Sequence, residues 1–373
     1  MAGRVDVCVV GLGAAGSQVA WQLARRGRRV VGLDRFDPPH DRGSSHGRSR
    51  IIREAYFEGA GYVPLVRRAY ELWEQLERES GASLLQVTGG LWLGDPDGEL
   101  VQGCREAAAL HEVPIRVLDA DEVRAAFPMF TVADGVVGVH EPRAGIMAPE
   151  AAVDAALQLA RAAGADLRTG EVVLGWDEVP GGVRVTTAAG TVDAAHLVLA
   201  AGSWTAQLAP QVAAALTVTR QVAVWLRPPA PIEGAMPVWF WDDGADVAAY
   251  GFPPQDGLLK LASHRHGEPV VPESEDRLPD PRETDAARAI AARLLGPAAG
   301  PVAEAGVCRY TNTPDEHFAI GPLPGADRVT LISACSGHGF KFASAVGEAA
   351  ADLADGAAPR IALDAFDPAR LLA

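Results

Sequence analysis

Cations set among apolar neighbours need an anion to meet them, and this chain has three such places. Arg50 and Arg53 bracket two isoleucines in Arg48-Ser-Arg50-Ile-Ile-Arg53, Lys260 stands inside Leu258-Leu-Lys260-Leu-Ala-Ser-His264, and Lys341 ends the turn Ser336-Gly337-His338-Gly339-Phe340-Lys341. An arginine offers a bidentate fork and a lysine a point charge, so a bound cofactor or an anionic substrate is what these positions suit. Plainer readings stand beside that one. Arg48 suits solvated surface, Arg53 has acids such as Glu54 nearby to pair with, and composition alone favours an exposed lysine on an edge strand for Lys260. The turn at Gly337 and Gly339 lies between a strand over 329–335 and an alanine-rich helix ending near Gly356. Such a turn aims N–H groups and a partial positive charge at something electron-rich.

These groups must be positioned, and the first positioning element opens the chain. Val5, Val7, Cys8, Val9 and Val10 form the apolar run of a strand buried on both faces, and Gly11-Leu-Gly13-Ala-Ala-Gly16 follows at once. In this G-x-G-x-x-G spacing Gly11 allows a tight turn, Gly13 lets backbone approach a pyrophosphate, and Gly16 lets a helix over 17–26 pack closely on the strand. A second strand over 30–33 leads to Asp34, an acid placed to hold a ribose hydroxyl. Strand, turn, helix, strand and acid together define a dinucleotide site, which the glycines alone would not.

Further along, Tyr62, Leu65, Val66, Ala69, Leu72, Trp73 and Leu76 recur with a helical period. Pro149 and Glu150 open another helix, and 166–174, 183–187 and 196–202 read as strands. The last ends in small residues, where Gly202 is either a packing glycine or a point of close approach to a ligand. Two strand-rich inserts interrupt this pattern, one over 84–140 and one with strands at 215–226, 237–241, 248–252 and 258–264 and a helix over 281–295. A strand over 304–310 then returns toward the first domain. The alternation predicts a two-domain α/β protein: a Rossmann-like nucleotide domain from 1–84, 145–213 and 305–373, and a mixed, antiparallel-rich sheet domain from 85–144 and 214–304.

At 373 residues the chain exceeds what one hydrophobic core usually serves, and its 48% hydrophobic and 22% charged residues are ordinary for a globular enzyme. The formal charge of -15 opposes phosphate backbones and anionic membrane surfaces, and no lysine or arginine cluster reverses it, so no nucleic-acid or membrane partner is expected. Four cysteines, Cys8, Cys104, Cys308 and Cys335, form no C-x-x-C pair. Neither a disulfide framework nor a metal site is expected, and a reducing cytoplasm suits the composition. No stretch approaches membrane-spanning length.

In these motifs the chain resembles a family, the monomeric sarcosine oxidases and N-methyltryptophan oxidases, flavoenzymes that oxidise secondary amino acids. The resemblance spans essentially the whole chain. It rests on the fingerprint with Asp34, on Phe36-Asp-Pro-Pro-His40, on Ser45-His46-Gly47 through Arg53, and on 257–264, 308–318 and 336–342. It implies FAD attached covalently through Cys308, Lys260 beside the flavin to promote reaction with oxygen, and a substrate carboxylate held by Arg53 and Lys341. Tyr250, His264 and Tyr310 would line the substrate pocket, His46 and Arg50 would lie against the flavin, and the turn around Gly337 and Gly339 would favour its reduced, anionic form. The implied reaction oxidises the C–N bond of a secondary α-amino acid such as sarcosine, with oxygen as acceptor and hydrogen peroxide as product, in a monomer.

Two departures bear on the substrate. Ser45 and Arg48 replace residues expected in sarcosine enzymes, and Trp239, Phe240 and Trp241 are bulkier than a minimal pocket needs. Either these aromatics are core, or they shape a pocket for a bulkier or cyclic amino acid of the N-methyltryptophan, proline or pipecolate type. Two other classes compete with the oxidase. One is an NAD(P)-dependent dehydrogenase, for which a covalent flavin leaves no place, and the other a non-catalytic flavoprotein subunit, in which Lys260 and Arg53 would be dispensable.

Overall fold

The computed structural model describes residues 4–245, 247–264, 267–274 and 277–372. The chain starts with β1 (Val5–Val10), α1 (Ala14–Arg25), β2 (Val30–Leu33), β3 (Arg50–Ile52) and α2 (Val63–Ser80). A first excursion holds β4 (Leu85–Val87), β5 (Gly90–Gly94), α3 (Glu99–His111), β6 (Arg116–Leu118), α4 (Ala120–Ala126), β7 (Val137–Glu141) and β8 (Gly145–Met147). The chain comes back through α5 (Pro149–Ala162), β9 (Asp166–Arg168), β10 (Val173–Val179), β11 (Gly182–Thr187), β12 (Gly190–Leu199) and α6 (Thr205–Leu208). A second excursion adds β13 (Thr217–Leu226), β14 (Val238–Asp242), β15 (Ala248–Gly251), β16 (Leu259–Ser263), α7 (Pro281–Leu295) and β17 (Val302–Asn312). The last elements are β18 (Ala319–Leu323), β19 (Ala326–Ser333) and α8 (Ala343–Ala354).

The first sheet runs β10-β11-β12-β1-β2-β9, with β19 beside β12 and β18 beside β19. β9, β2, β1, β12 and β19 pair in parallel, an arrangement that requires crossovers rather than hairpins. Helices α1, α5 and α8 pack together over one face. The strand period sorts β1 between two cores: Val7 and Val9 enter the helix-side cluster with Trp21 and Val346, while Cys8 and Val10 enter the opposite one with Leu197 and Leu199. Helix α1 begins at Ala14, earlier than its apolar pattern suggests, because Gly13 is its N-cap and the glycine turn already belongs to the helix start.

The second sheet runs β17-β13-β16-β15-β14-β5-β7-β6 and is antiparallel except where β14 meets β5. That parallel pair is the seam between the two excursions, with Val238 opposite Gly90 and Trp241 opposite Leu93. One face of the sheet, with Leu91, Trp239, Leu259 and Leu261, is buried with Ala291 and Leu294 of α7. A small third sheet, β3-β8-β4, sets Arg50 opposite Met147.

One expected boundary moves. The sequence suggests that the chain returns to the nucleotide domain at 305, but β17 pairs along its length with β13, from Val302 opposite Leu226 to Asn312 opposite Thr217. Its own residues alternate weakly, and the long ladder with β13 defines it, so the return to the first sheet comes at β18. Strands β3 and β18 are likewise announced by no apolar alternation. Among the described residues no helix is long and apolar enough to cross a membrane.

Candidate cofactor and substrate site

One cavity of about 490 Å³ is lined at one end by the glycine turn and Asp34 and at the other by residues of the second sheet. At the first end the backbone leaves no room for side chains. Gly11 has φ +90°, and a Cβ there would lie 2.3 Å from the Ala200 carbonyl oxygen; one on Gly16 would lie 1.7 Å from the Gly11 carbonyl oxygen. The first would force the turn away from the end of β12, and the second would push α1 away from the end of β1. Gly13 faces the Ser45 hydroxyl, which accepts the Ala14 N–H at 3.0 Å and so satisfies one of the open donors at the helix start. Asp34 accepts the N–H groups of Leu12 and Phe36, each at 2.8 Å, and lines the cavity. Gly202 has φ +54°, and a Cβ there would meet no protein atom within 4 Å, so it borders open cavity and the packing reading does not apply.

The other end is built from buried cations. Lys260 is 3% exposed, and β16 lies between β13 and β15, so it is not an edge-strand lysine. Its Nζ donates to the carbonyls of Gly47 at 2.6 Å and Ser49 at 2.9 Å, above the rings of Phe252 and Trp225. Burial, and then the charge of Arg50, push its pKa well below the ordinary lysine value. Arg50 donates to the carbonyls of Ser49 and Ser44 at 2.8 and 2.7 Å, and Glu150 accepts the N–H groups of Gly47 and Arg48 at 2.6 and 3.1 Å. The 44–49 loop is thus held by charged side chains on both sides. Arg48 itself is exposed, in the left-handed region at φ +68°, and pairs with Glu304.

Cys308 lies 3.8 Å from Arg50 Nη2. Burial alone would raise its pKa, but a hydrogen bond with His46 and the charge of Arg50 outweigh burial and bring the thiol down to about 6. That lowering favours the thiolate, the nucleophilic form. The Nε2 of His46 is buried with no hydrogen-bond partner among the described residues. Buried polar atoms are rarely left so, and this one, on the wall beside a reactive thiol, suits a bound ligand.

Arg53 is 4% exposed, donates to the Ala55 carbonyl at 2.8 Å and pairs with Glu58 at 2.5 Å. The rings of Tyr56, Phe57 and Trp92 surround its guanidinium at 4.2, 4.5 and 5.5 Å. Its partner is Glu58 rather than Glu54, whose carboxylate instead binds Arg67 and Arg143. The two residues lie just past β3, where the chain bends, and their side chains take separate partners. Burial would raise Glu58, yet Arg53, His338 and Lys341 hold it below the usual carboxylate range. Lys341 is 5% exposed and donates to the His338 carbonyl at 2.7 Å and the Tyr56 hydroxyl at 3.3 Å. Burial, and then Arg53, lower its pKa to about 7 against the pull of Glu58.

Over these cations stand Tyr250 and Tyr310, hydroxyls 3.5 Å apart, with the His264 ring 6.2 and 6.0 Å from theirs. A Cβ on Gly337 would meet Tyr310 at 2.6 Å and one on Gly339 the Ala334 carbonyl oxygen at 1.8 Å, so these glycines let the last turn lie against the wall. The aromatic triplet divides. Trp239 is core, Trp241 stacks under Arg293 at 4.8 Å, and Phe240 lines the cavity beside His264. Sequence reasoning missed Glu58 and Trp92 as wall residues and Glu141 behind the wall. The two carboxylate oxygens of Glu141 accept the N–H groups of Glu54 and Ala55 at 2.6 and 3.0 Å, with burial raising its pKa to about 7. Nothing in residue type or spacing marks these three off from a surface acid, a core aromatic and a strand-end acid.

A glycine-turn dinucleotide cleft opening onto an activated thiol and buried cations defines an oxidoreductase with a nucleotide cofactor. Residues 6–353 match the FAD dependent oxidoreductases, and the chain belongs to that family. It is 41% identical to the monomeric sarcosine oxidase of Streptomyces avermitilis over 100% of this chain and 99% of that one. It is 34% identical to the N-methyl-L-tryptophan oxidase of Yersinia pestis over 98% and 99%. The structure of NikD, an unusual amino acid oxidase essential for nikkomycin biosynthesis, covers 98% of this chain and 97% of its own with a TM-score of 0.88 at 26% identity. L-proline dehydrogenase from P. horikoshii shares the fold, with a TM-score of 0.85 at 23% identity over 99% and 98% of the two chains. The fold is that of the two-domain α/β flavoproteins.

Proposed function

We propose that this protein oxidises the C–N bond of secondary α-amino acids such as sarcosine, holds FAD covalently through Cys308, and passes the electrons to oxygen as hydrogen peroxide. The observation that carries this reading is the meeting, in one cavity, of the Cys308 thiol beside Arg50, a buried Lys260 and two further buried cations, Arg53 and Lys341, able to hold a carboxylate. FAD fits the cleft at the glycine turn, at Gly202 and at the unpartnered His46 Nε2, and when bound it supplies the acceptor for a hydride equivalent.

The chain's own residues then have separate tasks. Gly11, Gly13, Gly16 and Asp34 hold the nucleotide, and His46 and Arg50 lower the thiol and flank the ring, with Gly337 and Gly339 opening the turn beside it. Arg53 and Lys341 hold the substrate carboxylate, and the walls of Tyr250, Tyr310 and His264 exclude water around the amine. Lys260, fixed on two carbonyls, sets a positive charge where oxygen takes up its first electron. We assign the cofactor domain to the first sheet and the substrate domain to the second, in a monomer acting in the cytoplasm. A bulkier or cyclic amino acid is the second reading, favoured by Phe57, Trp92 and Phe240 around Arg53 and its cavity.

The test is a panel of sarcosine, N-methyltryptophan, proline and pipecolate given to the holoprotein without air. A substrate should bleach the flavin absorbance, and air should restore it with peroxide release. Bleaching by NAD(P)H and by none of the amino acids would overturn the reading in favour of a dehydrogenase.

A further inference from the structure

Lys341 does not stand in its pocket alone; a directed chain of hydrogen bonds ends on it. The chain begins at the Glu316 carbonyl, 3.1 Å from His338 Nε2. A carbonyl can only accept, so Nε2 carries the ring's hydrogen and Nδ1 is left as an acceptor. Tyr56 must then donate its hydroxyl hydrogen to Nδ1, which lies 2.5 Å away. That leaves the Tyr56 oxygen to accept from Lys341 Nζ at 3.3 Å, while a second N–H of the ammonium goes to the His338 carbonyl at 2.7 Å. Two of three donors are fixed, and the third is left for a ligand in the cavity that Lys341 lines.

The surroundings support this order. Glu316 is in the left-handed region at φ +58°, so its carbonyl is held at a conformational cost to a residue with a side chain. The His338 ring stacks on Phe318 at 4.6 Å and Tyr62 lies edge-on to it, which leaves the imidazole no freedom to flip. Burial keeps His338 neutral at ordinary pH, with its pKa lowered to about 3 although Glu58 opposes the shift.

We propose that Tyr56 and His338 are positioning residues for Lys341: they fix its ammonium in the orientation that binds a substrate carboxylate and help to keep it charged. The inference rests on the proposed carboxylate role of Lys341. The charged or titratable groups facing the ammonium are Arg53 and Glu58 from the segment after β3, Tyr56 from that same segment, and His338 from the turn before α8. Arg53 opposes the charge on Lys341 and Glu58 favours it, and the Tyr56 oxygen adds a further favourable contact. Removing that acceptor disfavours the ammonium, so Lys341 loses its proton at a lower pH.

The experiment measures the dissociation constant of propionate, a carboxylate with no amine, from the holoprotein between pH 5 and 9 by the change in flavin absorbance. In the parent, affinity should fall as pH rises through about 7. In Tyr56→Phe affinity at pH 5 should weaken by roughly three- to tenfold, as expected for one lost hydrogen bond, and the fall should begin at a lower pH. His338→Leu should do the same, and the double variant should be no worse than the more affected single one, since both act through one chain. Independent, multiplying effects, or an unmoved pH dependence with only lower thermal stability, would overturn the proposal and leave both residues as packing. Lys341→Met separates the two levels of argument: if it leaves propionate affinity and its pH dependence intact, the carboxylate site itself is misassigned.

Discussion

The two ends of the cavity are built in opposite ways. At the glycine turn the lining is mostly backbone held by short side chains: Asp34 on the Leu12 N–H, Ser45 on the Ala14 N–H, and Gly11 and Gly16, which tolerate no Cβ. Where β16, β17 and the turn before α8 meet, the lining is long charged side chains, Arg50, Arg53, Lys260 and Lys341, each tied to a main-chain carbonyl. A backbone device is robust and indifferent to pH. A cluster of buried cations is tunable, and each member is costly to leave unpaired, so substitutions there should cut far deeper than at the glycine-turn end.

The most complete effect is expected at the thiol. Cys308→Ala should reduce covalently bound flavin to none, seen as flavin in the supernatant after acid precipitation, where the parent keeps it in the pellet. In the flavin-free parent, alkylation of Cys308 should rise with pH around a midpoint near 6, because thiolate forms above its lowered pKa. Next in size is Arg53→Met, which leaves the half-buried Glu58 without its partner and should destabilise the fold by about 3 kcal/mol in chemical denaturation. Adding Glu58→Gln should recover much of that stability while carboxylate affinity stays lost. Recovery of both would mean that the carboxylate binds elsewhere.

Lys260→Met comes third: reoxidation by air should slow by roughly 10²–10³-fold in stopped flow, with anaerobic reduction by substrate much less affected. Equal slowing of both half-reactions would make Lys260 a structural cation. The smallest effect belongs to the glycine-turn end, where Ser45→Ala should cost about 1 kcal/mol in flavin-free stability through the loss of one hydrogen bond. A loss as large as that of Arg53→Met would erase the contrast between the two ends.

That contrast also governs what is legible in the sequence. The glycine turn and Asp34 lie within one short stretch, and sterics confine each glycine to its place, so residue type and spacing carry the information. The helix over 62–79 is legible for a similar reason, since one apolar face repeats along a single element and appears as α2. Lys260 is not, because whether a strand is at an edge depends on its neighbours, and β13 and β15 lie elsewhere in the chain. Glu58 escapes notice as the partner of Arg53, and Glu54 stands in its place, because an ion pair is decided by the direction in which side chains leave the backbone. The weak alternation of β17 hides its pairing with β13, and with it the sheet to which Cys308 belongs.

The position of Cys308 on β17 has a consequence for how the molecule is made. The thiol stands on a strand of the second sheet, laid against β13, while the glycine turn follows the first strand of the other sheet. The chain must therefore be almost wholly synthesised, and both sheets assembled, before the flavin ring can meet the sulfur. Under the proposed link to Cys308, attachment would be a late maturation step that certifies folding, and colour retained through denaturation would mark the chains that passed it. Such a link would bolt the two sheets together by a route that does not follow the polypeptide. A protease cut in a connecting loop would nick such a molecule without freeing its cofactor, which would remain on the fragment that carries β17.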